Sequence, residues 1–181
     1  MKVMITGGTG FIGRQLVAAA LRRGWEVSVL VRRPDGVPAR RLASQGASLV
    51  MGDIADRESL VRALDVARPA LLFHNAGWYE LGLPRRARRK MWAVNVEATE
   101  VVLALAAQAG VAKTVTTSSA IVFGDTRGEV ADEQWVRSAE ALSGYETTKV
   151  EAHRVAQRHQ QAGGRSSSSR RRRSSVPATR P

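Results

Sequence analysis

Short apolar runs alternate along this chain with longer stretches whose apolar positions recur every three or four residues. "KVMIT" (2–6) is a compact apolar run entering glycines and predicts a buried strand. "GFIGRQLVAAALRRG" (10–24) carries Phe11, Leu16, Ala19 and Ala20 at helical spacing, with Gly24 placed to end the helix. The β-branched "WEVSVLVR" (25–32) predicts a second strand, "ARRLASQG" (39–46) a short helix and "ASLVMGD" (47–53) a third strand. "DRESLVRALD" (56–65) opens on Asp56, a helix-capping residue. "PALLFHNAG" (69–77) is a fourth strand. A long helix pattern runs from Pro84 to Gly110, and "AKTVTTSSAIVFG" (112–124) begins as a fifth strand. A polar loop-like stretch follows, and "YETTKVEAHRVAQRHQQAGG" (145–164) is helical again. Strands alternating with helices of this length predict βαβ units around a parallel sheet, a doubly wound α/β fold.

Composition leaves that picture in place. The chain has 181 residues, 44% hydrophobic and 24% charged, enough for one domain with a core. It has no cysteine, which removes disulfides and thiolate metal sites. No apolar run reaches the roughly 20 residues of a membrane span, so a cytoplasmic protein without a membrane partner is expected. His153 and His159 read as solvated residues of the last helix, with no metal-ligand spacing, and His74 reads as a packing residue. The net charge of +12 is misleading, because half of it lies in Arg165–Pro181, which holds six arginines and no acid.

Two motifs carry chemistry. "TGGTGFIG" directly follows the first strand and opens the first helix. Gly7 suits a tight turn, Gly10 lets a pyrophosphate approach the backbone, and Gly13 lets helix and strand pack closely. The helix start then presents free N–H groups and a positive dipole end to phosphates. The second strand ends in Arg32 and Arg33 where an acid would bind a ribose 2′-hydroxyl, which favours NADP over NAD. Solvated arginines are the plainer alternative. Asp53 and Ile54, after the third strand, are placed to flank an adenine; a loop-capping role for Asp53 competes. The second motif, "YETTK", sets Tyr145 and Lys149 on one helix face. An ammonium beside a phenol favours the phenolate and brings tyrosine toward useful acid–base chemistry. Ser119, 26 residues upstream at the end of the fifth strand, adds a hydroxyl to that pair, with Ser118 as rival.

"TGGTGFIG", "HNAG", "TSSAIVFG" and "YETTK" together resemble the extended short-chain dehydrogenase/reductases, specifically the NAD(P)-dependent epimerase/dehydratase group and its dihydroflavonol-4-reductase-like members. The resemblance runs from Met1 to about Gly164. It implies a Rossmann fold over 1–164 and a catalytic triad of Ser119, Tyr145 and Lys149. Tyr145 would be the general acid/base, Lys149 would bind the nicotinamide ribose and tune Tyr145, and Ser119 would orient the substrate. It also implies a cofactor site of Gly7, Thr9, Gly10, Phe11, Ile12, Gly13, Arg32, Arg33, Asp53, Ile54, Asn75, Ala76, Gly77 and Lys149, with no metal. The expected activity is NAD(P)-dependent hydride transfer at a carbonyl or carbinol carbon. The alternatives are a nucleotide-sugar epimerase or dehydratase, and a non-catalytic dinucleotide-binding module. Substrates would be small carbonyls, alcohols or sugar nucleotides, and the full-length family admits homodimers.

In that family a sixth strand and a smaller substrate-binding domain follow the last helix. Here the strand position reads "RSSSSRRRRSS", which lacks the Val, Ile and Leu of a buried parallel strand. The expectation is therefore a sheet incomplete at its sixth-strand edge, an absent C-terminal substrate domain, and a disordered Arg/Ser-rich tail over 165–181. Valine codons GTC read one base out of register become TCG, serine, so a truncation or frameshift accounts for the run; the gene's other two frames test this. An unpaired fifth strand would leave marginal stability and little activity. The Arg/Ser tail is the sole hint of a nucleic-acid partner, and it has no aromatics for base stacking.

Overall fold

The structure, a computed structural model, describes residues 1–80, 85–138, 140–163 and 166–169. The strands are β1 (Lys2–Thr6), β2 (Glu26–Val31), β3 (Ser48–Met51), β4 (Leu71–His74), β5 (Lys113–Thr117) and β6 (Ser166–Ser169). They form one parallel sheet in the order β3-β2-β1-β4-β5-β6. The helices are α1 (Phe11–Arg22), α2 (Val37–Ser44), α3 (Arg57–Ala67), α4 (Arg85–Trp92), α5 (Ala98–Gln108) and α6 (Gly144–Gln161). The doubly wound parallel sheet expected from the alternation is present.

Alternate residues of each strand feed opposite faces, so the sheet is buried on both. Val3, Ile5, Val27, Val29 and Val31 pack with Val17 and Ala20 of α1 and Leu42 of α2. Met4, Leu30, Val50 and Leu72 pack with Leu60 and Leu64 of α3 and Val102 and Leu105 of α5. Each such fully buried aliphatic side chain contributes about 1.5–3 kcal/mol of transfer free energy. α3 starts where the sequence placed it, because the Asp56 carboxylate accepts from the Glu58 and Ser59 amides.

Two expectations are corrected. Ser166–Ser169, expected as tail, forms β6 and pairs in parallel with Thr114–Thr117 of β5. Ladder pairing needs only main-chain N–H and C=O groups, and β5 offers a free row of them, so apolar side chains are not a precondition. The sheet therefore has its sixth strand, and β5 is paired on both sides by β4 and β6. The rest of the expected tail, residues 164–165 and 170–181, lies outside the described residues. The long helix expected from Pro84 to Gly110 is α4 and α5 joined by a π-helical segment, Ala93–Glu97. Such segments recur at functional sites; this one holds Asn95. Among the described residues no helix is long and apolar enough to cross a membrane.

Candidate active site

The strand order reverses between β1 and β4, and the site gathers at the carboxyl ends of these strands and β5. Gly7 turns the chain at φ +68°, a left-handed conformation suited to glycine. A Cβ there would lie 2.7 Å from Ala76 Cα, so the phosphate-type loop and the "HNAG" loop are in close contact. A Cβ on Gly13 would stand 2.1 Å from the Gly7 carbonyl oxygen, which makes Gly13 the packing glycine of the motif. α1 begins at Gly10 with no side-chain cap, so its first-turn amides point at the loop without an internal anion. Asn75 donates to the Gly7 carbonyl (3.4 Å), while its buried Oδ1 has no partner among the described residues. An uncapped helix start, a cradle that a Cβ would fill and an orphaned acceptor fit a dinucleotide phosphate and ribose.

The other expected cofactor residues fall around this cradle. Phe11 is exposed at the start of α1, beside Thr9 and Ile12, and Ala76 and Gly77 follow β4. Arg32 and Arg33 are exposed just past β2. One carboxylate oxygen of Asp53 accepts from the Ala55 amide, the loop-capping role weighed against adenine binding. Ile54 packs on the core beside α3.

α6 begins at Ser143, whose hydroxyl accepts from the Glu146 amide, and this fixes Tyr145 in the first turn. Ser119 caps a short 3₁₀ turn after β5, its hydroxyl accepting from the Ile121 amide (3.4 Å), and the same hydroxyl lies beside the Tyr145 phenol. Ser118 turns the other way and meets His153 Nδ1 at 3.3 Å. Of the two rival serines, the structure thus brings Ser119 to Tyr145. Lys149 Nζ donates to the Thr117 carbonyl (3.2 Å). Burial pushes the Tyr145 phenol above its usual range, reinforced by Tyr79 and opposed by the Ser119 hydroxyl. Burial likewise holds the Lys149 ammonium below its usual range. Desolvation is the largest influence on Tyr145, and the Lys149 ammonium is engaged by the Thr117 carbonyl.

His153 corrects a further expectation, since it is buried rather than solvated. It follows Lys149 by four residues, so both lie on the inward stripe of α6 with Val155 and Ala156 close by. That spacing was the available signal. A small polar pocket lies behind Lys149, lined among others by His74, Asn95, Thr116 and His153.

Asn95 has more contacts in this site than its sequence position suggested. Its Oδ1 accepts from the Trp78 amide (2.7 Å), and its Nδ2 donates to the Trp78 carbonyl (2.9 Å) and to Thr148 Oγ1 (3.0 Å). It ties the loop after β4 to the helix carrying Tyr145. Tyr79, next along that loop, stands edge-on to Tyr145 with ring centroids 4.7 Å apart. In the sequence Asn95 is marked as the polar member of "NVEAT", a segment that resembles the family's "NVxGT" helix.

His74 is the packing residue expected. Thr99 donates to the Asn95 carbonyl (2.8 Å), so its oxygen accepts from His74 Nε2–H (3.0 Å) and Thr6 donates to Nδ1 (2.8 Å). This neutral tautomer uses both ring nitrogens. Burial first, and Lys149 second, lower the His74 pKa from 6.5 to about 4. The unfolded chain takes up this proton near 6.5 and the native protein does not until about 4. Stability contributed above pH 6.5 is therefore lost as pH falls toward 4, by about 3 kcal/mol. Urea titrations of wild type and His74→Asn should diverge by that slope across this window. Parallel curves would reject the assignment.

Residues 3–171 match the NAD dependent epimerase/dehydratase family. The chain belongs to this family. It is 33% identical over 166 residues to a UDP-glucose 4-epimerase of Neisseria meningitidis serogroup C, covering 89% of this chain and 49% of that protein. It is 35% identical over 164 residues to a putative dihydroflavonol 4-reductase of Synechocystis, covering 88% and 45%. Among solved structures, the Thermus thermophilus UDP-glucose 4-epimerase complex with NAD superposes with a TM-score of 0.78 at 30% identity, covering 93% of this chain and 54% of that one. An Agrobacterium tumefaciens short-chain dehydrogenase/reductase superfamily protein with bound NAD gives a TM-score of 0.73 at 28% identity, covering 93% and 47%. The epimerase/dehydratase chain described here spans about half the length of these curated relatives.

Proposed function

We propose that this site performs NAD(P)-linked hydride transfer at a carbonyl or carbinol carbon, with Tyr145 as the proton-transferring group. The observation that carries this reading is the placement of the Ser119 hydroxyl beside Tyr145, with Lys149 one turn along the same helix. The dinucleotide would be held by Gly7, Thr9, Gly10, Phe11, Ile12 and Gly13 at the phosphates, Asp53 and Ile54 at the adenine, and Asn75, Ala76, Gly77 and Lys149 toward the nicotinamide. When bound, it supplies or accepts the hydride.

The chain's own residues handle the proton and the geometry. Burial favours the neutral Tyr145 phenol, the form that gives its proton to the oxygen of a carbonyl being reduced. In the opposite direction the same oxygen takes the proton back from a carbinol. Ser119 holds the substrate oxygen against Tyr145 and stabilises its developing charge. Lys149 donates to the Thr117 carbonyl and would hold the ribose of the cofactor when it is bound.

NADP is the proposed cofactor, because Arg32 and Arg33 are exposed just past β2, where a 2′-phosphate would sit. Arg32→Ala should weaken NADPH binding about 10-fold or more and leave NADH binding within about twofold. Equal effects on both cofactors would reject the phosphate contact. The activity itself is tested by NADPH oxidation against a panel of ketones. A second reading, redox-neutral epimerisation or dehydration of a nucleotide sugar, is supported by the likeness to UDP-glucose 4-epimerases. Interconversion of UDP-glucose and UDP-galactose without net NADPH oxidation would select it. Cofactor binding with neither reaction would select a binding module.

A further inference from the structure

Arg137 lies in the polar stretch between β5 and α6, to which the sequence assigned no role. Its side chain is only 10% exposed, and that of its partner Glu146 only 7%. Arg137 Nη2 forms an ion pair with Glu146 Oε1, next to Tyr145 in the first turn of α6. The same guanidinium donates to the Ile121 carbonyl (3.0 Å) and the Glu140 carbonyl (2.6 Å). Ile121 belongs to the 3₁₀ turn that Ser119 caps, and its amide donates to Ser119 Oγ (3.4 Å). The other carboxylate oxygen of Glu146 accepts from the Leu142 amide (2.9 Å). The planar guanidinium packs over Gly124, where a Cβ would approach its Cζ to 3.0 Å.

One buried guanidinium thus bonds to the turn carrying Ser119 and to the residue adjoining Tyr145. These are the two ends whose separation decides whether the serine and tyrosine oxygens meet. A planar group with donors in a fixed fork transmits position better than a flexible single-point contact. Trp135 Nε1 adds a bond to the Phe123 carbonyl (3.1 Å), so the intervening loop is seated on the same turn. We propose that Arg137 and Glu146 are a positioning pair that sets the spacing of the Ser119 and Tyr145 hydroxyls. This rests on the reading of Ser119 and Tyr145 as the catalytic hydroxyls, but the pair does not touch substrate itself.

The test reads Tyr145 directly and needs no turnover. The chain has two tyrosines, so Tyr79→Phe leaves Tyr145 as the single signal in protein labelled with ¹³Cζ-tyrosine. In that background Ser119→Ala defines the shift caused by losing the serine hydroxyl. Arg137→Met/Glu146→Gln removes both charges together, so neither is left buried and unpaired. It should move the Tyr145 resonance to the position seen in Ser119→Ala, and adding Ser119→Ala should move it no further. An unmoved resonance, or a Ser119→Ala shift that persists in full, overturns the proposal; a purely Coulombic influence of Arg137 would give the latter. If the double variant does not fold, Glu146→Gln alone should shift the signal in the same direction, and no shift overturns the proposal. Cofactor affinity should stay within about twofold throughout, because the pair lies away from the glycine loop. The expected shift in a protein that turns over neither ketones nor nucleotide sugars would uphold the pair and refute the function.

Discussion

Tyr145→Phe lowers turnover by about 10²–10⁴-fold and leaves cofactor affinity within about twofold. The substitution removes one oxygen and keeps the ring. The ring retains its edge-on contact with Tyr79, and α6 retains its Ser143 cap, so the backbone around Lys149 has no reason to move. What is lost is the proton that a reduced carbonyl oxygen must receive. Solvent must then supply it, and the transition state loses its preorganised donor. Ser119→Ala should cost less, because it removes the partner that orients the oxygen and not the proton source. Initial rates with NADPH and the best ketone of the panel, beside a cofactor titration, decide the matter. Tyr145→Phe turning over at wild-type rate would refute its role.

Gly13→Ala and Gly10→Ala should separate packing from binding within one motif. A Cβ at Gly13 meets the Gly7 carbonyl oxygen at 2.1 Å and Gly8 Cα at 2.6 Å. Those atoms are backbone of the turn that gives the loop its shape, so α1 must lift from β1. The cost is about 3 kcal/mol of stability, and cofactor binding falls with it. At Gly10 a Cβ meets only the Gly7 oxygen, at 3.3 Å, and the backbone sits at φ −76°. Gly10→Ala should therefore keep its melting temperature while losing about 10-fold or more in cofactor affinity, since the methyl occupies the approach to the helix amides. Thermal melts and cofactor titrations of the two variants test this. A Gly10→Ala protein that binds as wild type would show that no phosphate comes near that residue.

The alternation of strand and helix, the glycine spacing and the Tyr145–Lys149 interval are legible because each depends on local period and residue type. Val27, Val29 and Val31 announce one buried face of a strand wherever they occur. Tyr145 and Lys149 share a helix face by geometry alone. The four-residue interval from Lys149 signals the burial of His153, but its partner Ser118, 35 residues away, is not legible. Asn95 is legible as the polar member of "NVEAT", but its partners are not, since its bonds reach Trp78 and Thr148 across 17 and 53 residues. β6 is hidden for a different reason. Serine is a poor strand former on average, but an exposed row of backbone groups on β5 accepts any extended segment that can hydrogen-bond.

By itself the sequence determined the doubly wound α/β order, the phosphate-type loop and the identity of the hydroxyl, phenol and ammonium available for chemistry. Tertiary structure alone decided which of two adjacent serines faces Tyr145, which way Lys149 donates, and that Arg137 is buried against Glu146. Period and propensity act over one or two turns of chain. Burial and hydrogen bonding depend on which distant segments the sheet brings together, and that is set only when the whole core packs.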